Sequence, residues 1–340
     1  MTGRQIVLDH LGGRAAAALV VDGRLEDLLV DPGTDLAQGA ILRGTVDRVI
    51  KGGAFVRLPG GQGFLRGAGG YRSGRMVLVQ IGGFADPGKA VPVTERLIFK
   101  GRTVIVTPGA AGINLSRQVR DGDTRDRLLN AVGTKAAVES PHGIVVRTAA
   151  VAAKDAEIAR EVDEILMQAD DVLAAVTGEP AILRRAPDAH ALAKREWATS
   201  GDTFVVEAGG FETHDLMDAI ASLRSPDVPL SPGSLFIEPT HALIAVDVNT
   251  GGDFSPAAGL KTNIAAAREL PRQLRLRGYG GQIVVDFAPM PKKDRRRLEE
   301  ALKSAFRTDP VETALVGWTS LGLYEIQRKR ERRPLHEVLK

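Results

Sequence analysis

Two acidic residues and an amide stand where strand-forming runs stop. The stretch "THALIAVDVNTGG", Thr240 to Gly252, places Asp247 and Asn249 two residues apart at the end of an apolar, β-branched run. Side chains alternate across a strand, so these two share one face while Val246 and Val248 take the other. A second run, "GGQIVVDFAPM", carries Ile283, Val284 and Val285 into Asp286. Both runs read as buried strands, and an α/β sheet places ligands at the carboxyl ends of its strands, so Asp247 and Asp286 are candidates to meet. Two carboxylates with a neutral amide offer hard oxygen ligands, which suits Mg²⁺, an ion usually held by one or two carboxylates plus water and a substrate phosphate. Such an ion polarises a phosphodiester and lowers the pKa of its water. For either aspartate alone, capping the next turn is the commoner role; two such ends in one region favour a catalytic pair.

Two further groups have chemistry to offer. Phe55 and Phe64 lie ten residues apart or less, among glycines and near Lys51, Arg57 and Arg66. An aromatic there stacks on an unpaired base while the cations meet phosphates, or else it belongs to the core of a small barrel. Arg147 and Thr148 end the strand-like "GIVVRTAA". A guanidinium beside a hydroxyl can hold a phosphate by charge-assisted hydrogen bonds, although on spacing alone a surface ion pair is equally natural.

The elements that must position these groups follow from composition and pattern. With 340 residues, 44% of them hydrophobic, the chain is long enough for two or three packed domains and too apolar for disorder. Net charge is only +3, yet "RQLRLRGYGG", "PKKDRRRLEE" and "EIQRKRERRPLHEVLK" concentrate cations toward the C-terminal end, as solvated helix faces or as a polyanion surface. The chain has no cysteine, which excludes disulfides, thiolate zinc and a cysteine nucleophile and suits a reducing compartment. No apolar window approaches ~18 residues and the N-terminus lacks a signal-like core, so no membrane and a cytoplasmic location are expected.

Four blocks emerge. Residues 1–37 alternate apolar and polar around Asp22-Gly23, a hairpin signal, and predict a small β-meander. Residues 38–105 carry short strands split by glycine turns, the pattern of a small antiparallel barrel. Residues 106–190 combine strands with a helix across "AKDAEIAREVDEILMQADDVLAAV". From about 233 to 340 come a hairpin, a long helix through "LKTNIAAARELPRQLRLRG", and the strand that ends in Asp286.

The motifs "IEPTHALIAVDVNTGG", "TNIAAARELPRQLRLRGYGGQIVVDF" and "SLGLYEIQRKR" resemble the catalytic region of the ribonuclease E/G family of bacterial endoribonucleases, with a tail closer to the ribonuclease G branch. "GAFVRL", "GFL" and "GIVVRTA" extend the likeness. It implies an α/β multidomain fold: an OB-fold β-barrel (38–105) inserted in a reduced RNase H-like subdomain (1–37 and 191–232), a 5′-sensor α/β subdomain (106–190), and a DNase I-like catalytic α/β subdomain (233–340). It implies Mg²⁺-dependent cleavage of single-stranded RNA, with Asp247 and Asp286 as metal ligands and Asn249 holding the first carboxylate. Phe55 and Phe64 match RNA-stacking aromatics, Lys89 an RNA-contacting lysine, and Arg147 and Thr148 a sensor of the 5′-monophosphate. His241 and Pro289 stand where the family usually has acids, so the surroundings of the metal ligands are expected to differ. Without cysteine a zinc-linked oligomer is not expected, leaving a monomer or weak homodimer. A non-catalytic RNA-binding adaptor is the runner-up. A nucleotide enzyme would need a glycine-rich phosphate loop, and neither GxGxxG nor GxxxxGK[ST] occurs here.

Overall fold

Arg4–Leu11 (β1), Arg14–Val21 (β2) and Arg24–Val30 (β3) pair antiparallel, as the alternation of residues 1–37 predicts. The β2–β3 turn holds Asp22 and Gly23 at φ 49° and 77°, the left-handed pair that suits a two-residue hairpin. The computed structural model describes residues 3–67, 70–85, 88–199, 201–253, 255 and 257–339. It divides into two units, Met1–Asp31 with Phe204–Lys340, and Pro32–Thr203.

In the second unit, Ile41–Ile50 (β4), Gly53–Leu58 (β5), Gly61–Arg66 (β6), Met76–Ile81 (β7) and Val91–Thr94 (β8) run in the order β4-β5-β6-β8-β7. Strand β7 pairs back on β4 and closes a five-stranded barrel consistent with an OB-fold. The barrel departs from the antiparallel expectation at one seam, because β6 and β8 run parallel. An odd number of strands cannot close with every neighbour antiparallel. Leu42, Val46, Val56, Leu65, Val79 and Val93 fill the interior.

Beyond the barrel, Phe99–Lys100 (β9), Val104–Thr107 (β10), Gly112–Leu115 (β11) and Gly143–Val146 (β12) form a sheet ordered β11-β12-β10-β9. Helices Gly122–Val132 (α1), Lys135–Glu139 (α2) and Asp155–Ala174 (α3) accompany it. Helix α3 buries Ile158, Val162, Ile165, Leu166, Ala169 and Val172, the stripe that helical spacing predicts. Ala181–Arg184 (β13) returns to pair with the start of β4, and Ala189–Glu196 (α4) follows, its N-terminus capped by the Asp188 carboxylate.

The first unit resumes with Thr203–Val206 (β14), which joins β1 to give the order β14-β1-β2-β3. Gly210–Thr213 (α5) and Met217–Ser222 (α6) cover that sheet through Phe211 and Ile220. A six-stranded sheet then forms from Asp227–Pro229 (β15), Ser234–Pro239 (β16), Ile244–Asn249 (β17), Gly281–Asp286 (β18), Thr313–Trp318 (β19) and Tyr324–Arg328 (β20), ordered β15-β16-β17-β18-β20-β19. Helix Ala258–Arg277 (α7) links the parallel strands β17 and β18, and Arg295–Arg307 (α8) packs beside it; Leu335–Val338 (α9) lies near the end of the chain. Among the described residues, no helix is long and apolar enough to cross a membrane.

Helices α7 and α8 cover one face of this sheet. Val246, Val248, Ile283 and Val285 pack there against Ala266, Leu270, Leu274, Leu298 and Leu302. The opposite face stays open: Ala245 and Val284 are half-buried, while Asp247, Asn249, Gln282 and Asp286 are exposed. The expectation of strands buried on both faces is therefore corrected. Their apolar runs are continuous, but helices lie on one side only.

Two of the basic clusters are drawn largely into the fold, whereas the third keeps the solvated helix face expected of it. In "RQLRLR", Arg272 bonds Glu269 at 2.9 Å, Arg275 pairs with Asp309, and Arg277 donates to the Ser225 carbonyl at 3.0 Å. Arg328 meets Asp309 and Arg332 meets Asp27, both at 2.9 Å. These cations serve the fold: Arg275, Arg328 and Arg332 meet carboxylates distant in sequence, Arg272 a neighbour on its own helix and Arg277 a backbone carbonyl. Lys292, Lys293, Arg296 and Arg297 remain exposed.

Candidate active site

The parallel register of β17 and β18 aligns Asp247 directly with Asp286. Adjacent strands lie about 4.8 Å apart, so the two carboxylates project side by side from the open face. Asn249 is next along the same face, and its Oδ1 accepts from the Gly251 backbone N–H at 3.0 Å. That bond fixes the amide at the turn; the NH₂ end is then the donor side of the group. Phe236 and Ser234 of β16 stand opposite Asp247 and Asn249.

The turn beyond the strand is held by close packing. Gly233 is left-handed at φ 81°, and a Cβ there would strike the Asn249 carbonyl. The segment after Asp286 has its own clamp. Asn263, fully buried on α7, donates to the Ala288 carbonyl and accepts from the Ala288 N–H, both at 2.9 Å. Sequence reasoning missed this residue, although a signal existed: Asn263 shares the buried stripe of Ala266, Ala267, Leu270 and Leu274, and a polar residue on such a stripe needs buried partners. Of the two residues that replace the family's acids, His241 is exposed on the turn before β17, away from the aspartates, and Pro289 is exposed three residues after Asp286.

On the barrel, Phe55 and Phe64 are cross-strand partners with ring centroids 5.2 Å apart. Both are half-buried on the outward side, where they alternate with the buried Ala54, Val56 and Leu65. The core reading of these rings is thus set aside. The Phe64 ring lies over Gly53, where a Cβ would collide with it, and the Arg48 guanidinium sits 4.9 Å from the Phe55 ring centre. Arg57 and Arg66 are exposed on the same side, and Lys51 is exposed at the β4–β5 turn. Lys89 is exposed in the segment between β7 and β8.

Arg147 does not point freely to solvent. Its Nη1 donates to the Gly101 and Arg102 carbonyls at 2.6 and 3.2 Å, and its Nη2 meets Glu196 at 2.6 Å. Glu196 also binds Lys100 at 2.9 Å and Arg195 at 2.8 Å. Burial opposes ionisation of Glu196, but Lys100 foremost, with Arg147 and Arg195, outweighs it and holds the carboxyl down at about 2. Three cations thus surround one carboxylate. Thr148, exposed beside them, donates to Gln118 Oε1 at 3.0 Å and lies 3.2 Å from Ser116 Oγ. The partners Lys100, Ser116, Gln118 and Glu196 come from separate segments and had no local signal.

The model of the Ribonuclease E/G family matches residues 98–209 and 199–331. Ribonuclease E of a Nostoc species is 29% identical over 383 residues, covering 95% of this chain and 55% of that protein. Ribonuclease G of Escherichia coli K12 is 28% identical over 309 residues, covering 79% of this chain and 62% of its own. Ribonuclease E of a Synechocystis species is 29% identical over 305 residues, covering 77% and 45%. The chain therefore spans about half of the length of these relatives. With the family match reaching across most of its residues, from the sheet that carries Arg147 through the strands that carry Asp247 and Asp286, the chain belongs to the Ribonuclease E/G family.

Proposed function

We propose that this chain is a magnesium-dependent endoribonuclease that cuts single-stranded RNA internally during cytoplasmic RNA processing and decay, with a preference for a 5′-monophosphate. The observation that carries this reading is the register of Asp247 with Asp286 on an open sheet face. Membership of the Ribonuclease E/G family and the names of the relatives support it.

The donor set fits a hard divalent cation. Among the described residues no three His, Cys, Asp or Glu side chains converge as a metal cage, and a pair of exposed carboxylates suits Mg²⁺, which keeps several waters and shares its shell with substrate phosphate. Bound by Asp247 and Asp286, Mg²⁺ would supply Lewis acidity toward the phosphodiester and a water of lowered pKa. The residues of the chain hold the geometry. Asn249 keeps the turn after Asp247 in place and steadies that carboxylate, and Asn263 fixes the backbone that follows Asp286. Hydrolysis adds water across the P–O3′ bond; the new P–O bond forms as O3′ leaves and takes up a proton, giving a 5′-phosphate and a 3′-hydroxyl.

Elsewhere, Phe55 and Phe64 stack on bases, with Lys89 contributing an RNA contact, and Arg147 with Thr148 receives the terminal phosphate. The β14-β1-β2-β3 sheet is read as the reduced RNase H-like part and the six-stranded sheet as the DNase I-like part. The test is incubation of the protein with end-labelled single-stranded RNA, with Mg²⁺ and with EDTA, beside Asp286→Asn. Internal cuts that require Mg²⁺ and vanish in the variant support the reading. Tight binding with no cuts under any condition would replace it with an RNA-binding adaptor.

A further inference from the structure

The open face that carries Asp247 and Asp286 also carries an aromatic ring. Leu235 and Ile237 of β16 enter the core beneath α7 and α8, so Phe236 between them projects to the opposite, open side. It is the register partner of Asp247. Cross-strand partners stand about 5 Å apart at their Cβ atoms, and Asp247 is in turn aligned with Asp286. Phe236, Asp247 and Asp286 therefore form a row across three interior strands of the sheet. Strand β16 pairs on both edges, with β15 and with β17, which mounts the ring as firmly as the carboxylates.

The surroundings of this ring on the sheet are partly polar and partly apolar. Along β16, the half-buried Ser234 and the exposed Glu238 share its face, and across on β15 its register partner is the exposed Asp227. Ala245, diagonal to Phe236 on β17, and Val284, the partner of Ala245 on β18, are both half-buried. Phe236 is half-buried as well. These three apolar side chains make a strip that borders the acidic pair, with part of its surface left to solvent.

We infer that Phe236 is a base-stacking residue of the reaction site: its ring, with Ala245 and Val284 beside it, receives the nucleobase of a nucleotide that flanks the scissile phosphate. This rests on the proposed cleavage at Asp247 and Asp286. A base is joined to its phosphate through one ribose, so a phosphate at the carboxylates carries a base within reach of a ring one strand away. Every base has a π-face, and an aromatic side chain accepts it whatever the sequence. Carboxylates repel a phosphate until a cation is bound, whereas stacking needs no charge. The ring thus supplies, at the reacting end itself, a grip that the acids cannot. Phe55 and Phe64 belong to the other unit; this ring meets the nucleotide that reacts.

The experiment joins a contact measurement to a kinetic one. Single-stranded RNA carrying one 5-iodouracil at successive positions is irradiated with the protein in EDTA, and the crosslinked residue is identified by peptide mass spectrometry. Phe236 should be crosslinked from one or two adjacent positions, and these should flank the bond that is cut when Mg²⁺ is added. In Mg²⁺, Phe236→Leu, which keeps an apolar side chain but lacks the ring, should lower kcat/KM about 10-fold, the scale of one stacked base, whereas Phe236→Tyr should keep the wild-type value. Removing the base at the crosslinked position should cost wild type about 10-fold and Phe236→Leu nothing further, a coupling that lost packing alone does not produce. An unchanged unfolding temperature shows that each variant is folded. If wild type cuts RNA, yet no position crosslinks to Phe236 and Phe236→Leu cuts at the wild-type rate, the inference is overturned and the nuclease reading stands. If Phe236 is crosslinked but wild type cuts nothing, the stacking contact stands and the nuclease reading falls.

Discussion

Asp27 and Asp309 have side chains 3% and 0% exposed, and arginines close around them: Arg332 on Asp27, Arg328 on Asp309, and Arg275 reaching both. Asp247 and Asp286 belong to the same unit and lie exposed at the ends of neighbouring strands. The first pair is committed to the fold, since a buried charge survives only with its partners. The second pair is rigidly mounted on a packed sheet while its oxygens remain available. Glu196, in the other unit, stands between these extremes, partly exposed and ringed by three cations.

The contrast breaks most clearly at Asp309. Asp309→Asn should lower stability by about 3–5 kcal/mol, because Arg275 and Arg328 lose a buried counter-charge. Denaturant unfolding measures the loss, and cleavage per folded molecule should be preserved. Asp247→Asn and Asp286→Asn should do the reverse: unfolding unchanged, cleavage reduced at least ~100-fold, the scale of removing a main electrostatic stabiliser, and RNA binding retained. Wild-type turnover in either variant would remove the metal-site proposal.

Glu196 sharpens the comparison through pH. Its carboxyl titrates at about 2 in the folded chain against an ordinary value near 4.5. A depressed folded value stabilises above pH 4.5, and that contribution, at most about 3 kcal/mol, is lost as pH falls toward 2. The stability gap between wild type and Glu196→Gln should therefore be full at pH 7, begin to shrink below about pH 4.5 and close near pH 2; a gap independent of pH would mean packing, not charge.

Smaller effects are expected at the two barrel aromatics, if they stack on bases as proposed. Phe55→Ala or Phe64→Ala should weaken single-strand affinity by roughly 1–3 kcal/mol with little change in salt slope, since stacking releases no counterions. A collapse of thermal stability with affinity intact would return both rings to a structural role. The smallest is discrimination at the 5′-end: Arg147→Lys should lose about 10-fold of the preference for 5′-monophosphate over 5′-hydroxyl RNA, because an ammonium cannot reproduce the planar fork. Equal wild-type rates on the two RNAs would confine Arg147 and Thr148 to the fold.

Local periodicity made much of this legible. The Asp22-Gly23 hairpin, the buried stripe of α3 and the alternation that sets Asp247 beside Asn249 all depend on neighbours in sequence. What escaped depends on tertiary context. One-sided helix cover left Val284 half-exposed although its run reads as buried. The parallel β6–β8 seam follows from an odd strand count, which no single strand encodes. Arg275, Arg328 and Arg332 look like surface cations until Asp27 and Asp309 arrive from far along the chain. Glu196 lies 49 residues from Arg147, and that pairing is invisible at either position. Asn263 was the one missed residue with a local clue.

The contact between Asp27 and Arg332 spans 305 residues. It gives the first unit a birth order. The carboxylate of strand β3 acquires the Arg332 guanidinium only after the whole barrel-bearing unit, which lies between them in sequence, has been translated. Residues 32–203 have every contact of their own core in hand by then. The unit with the paired aspartates therefore completes its core later in synthesis than the barrel-bearing unit, although its first strands are made before it.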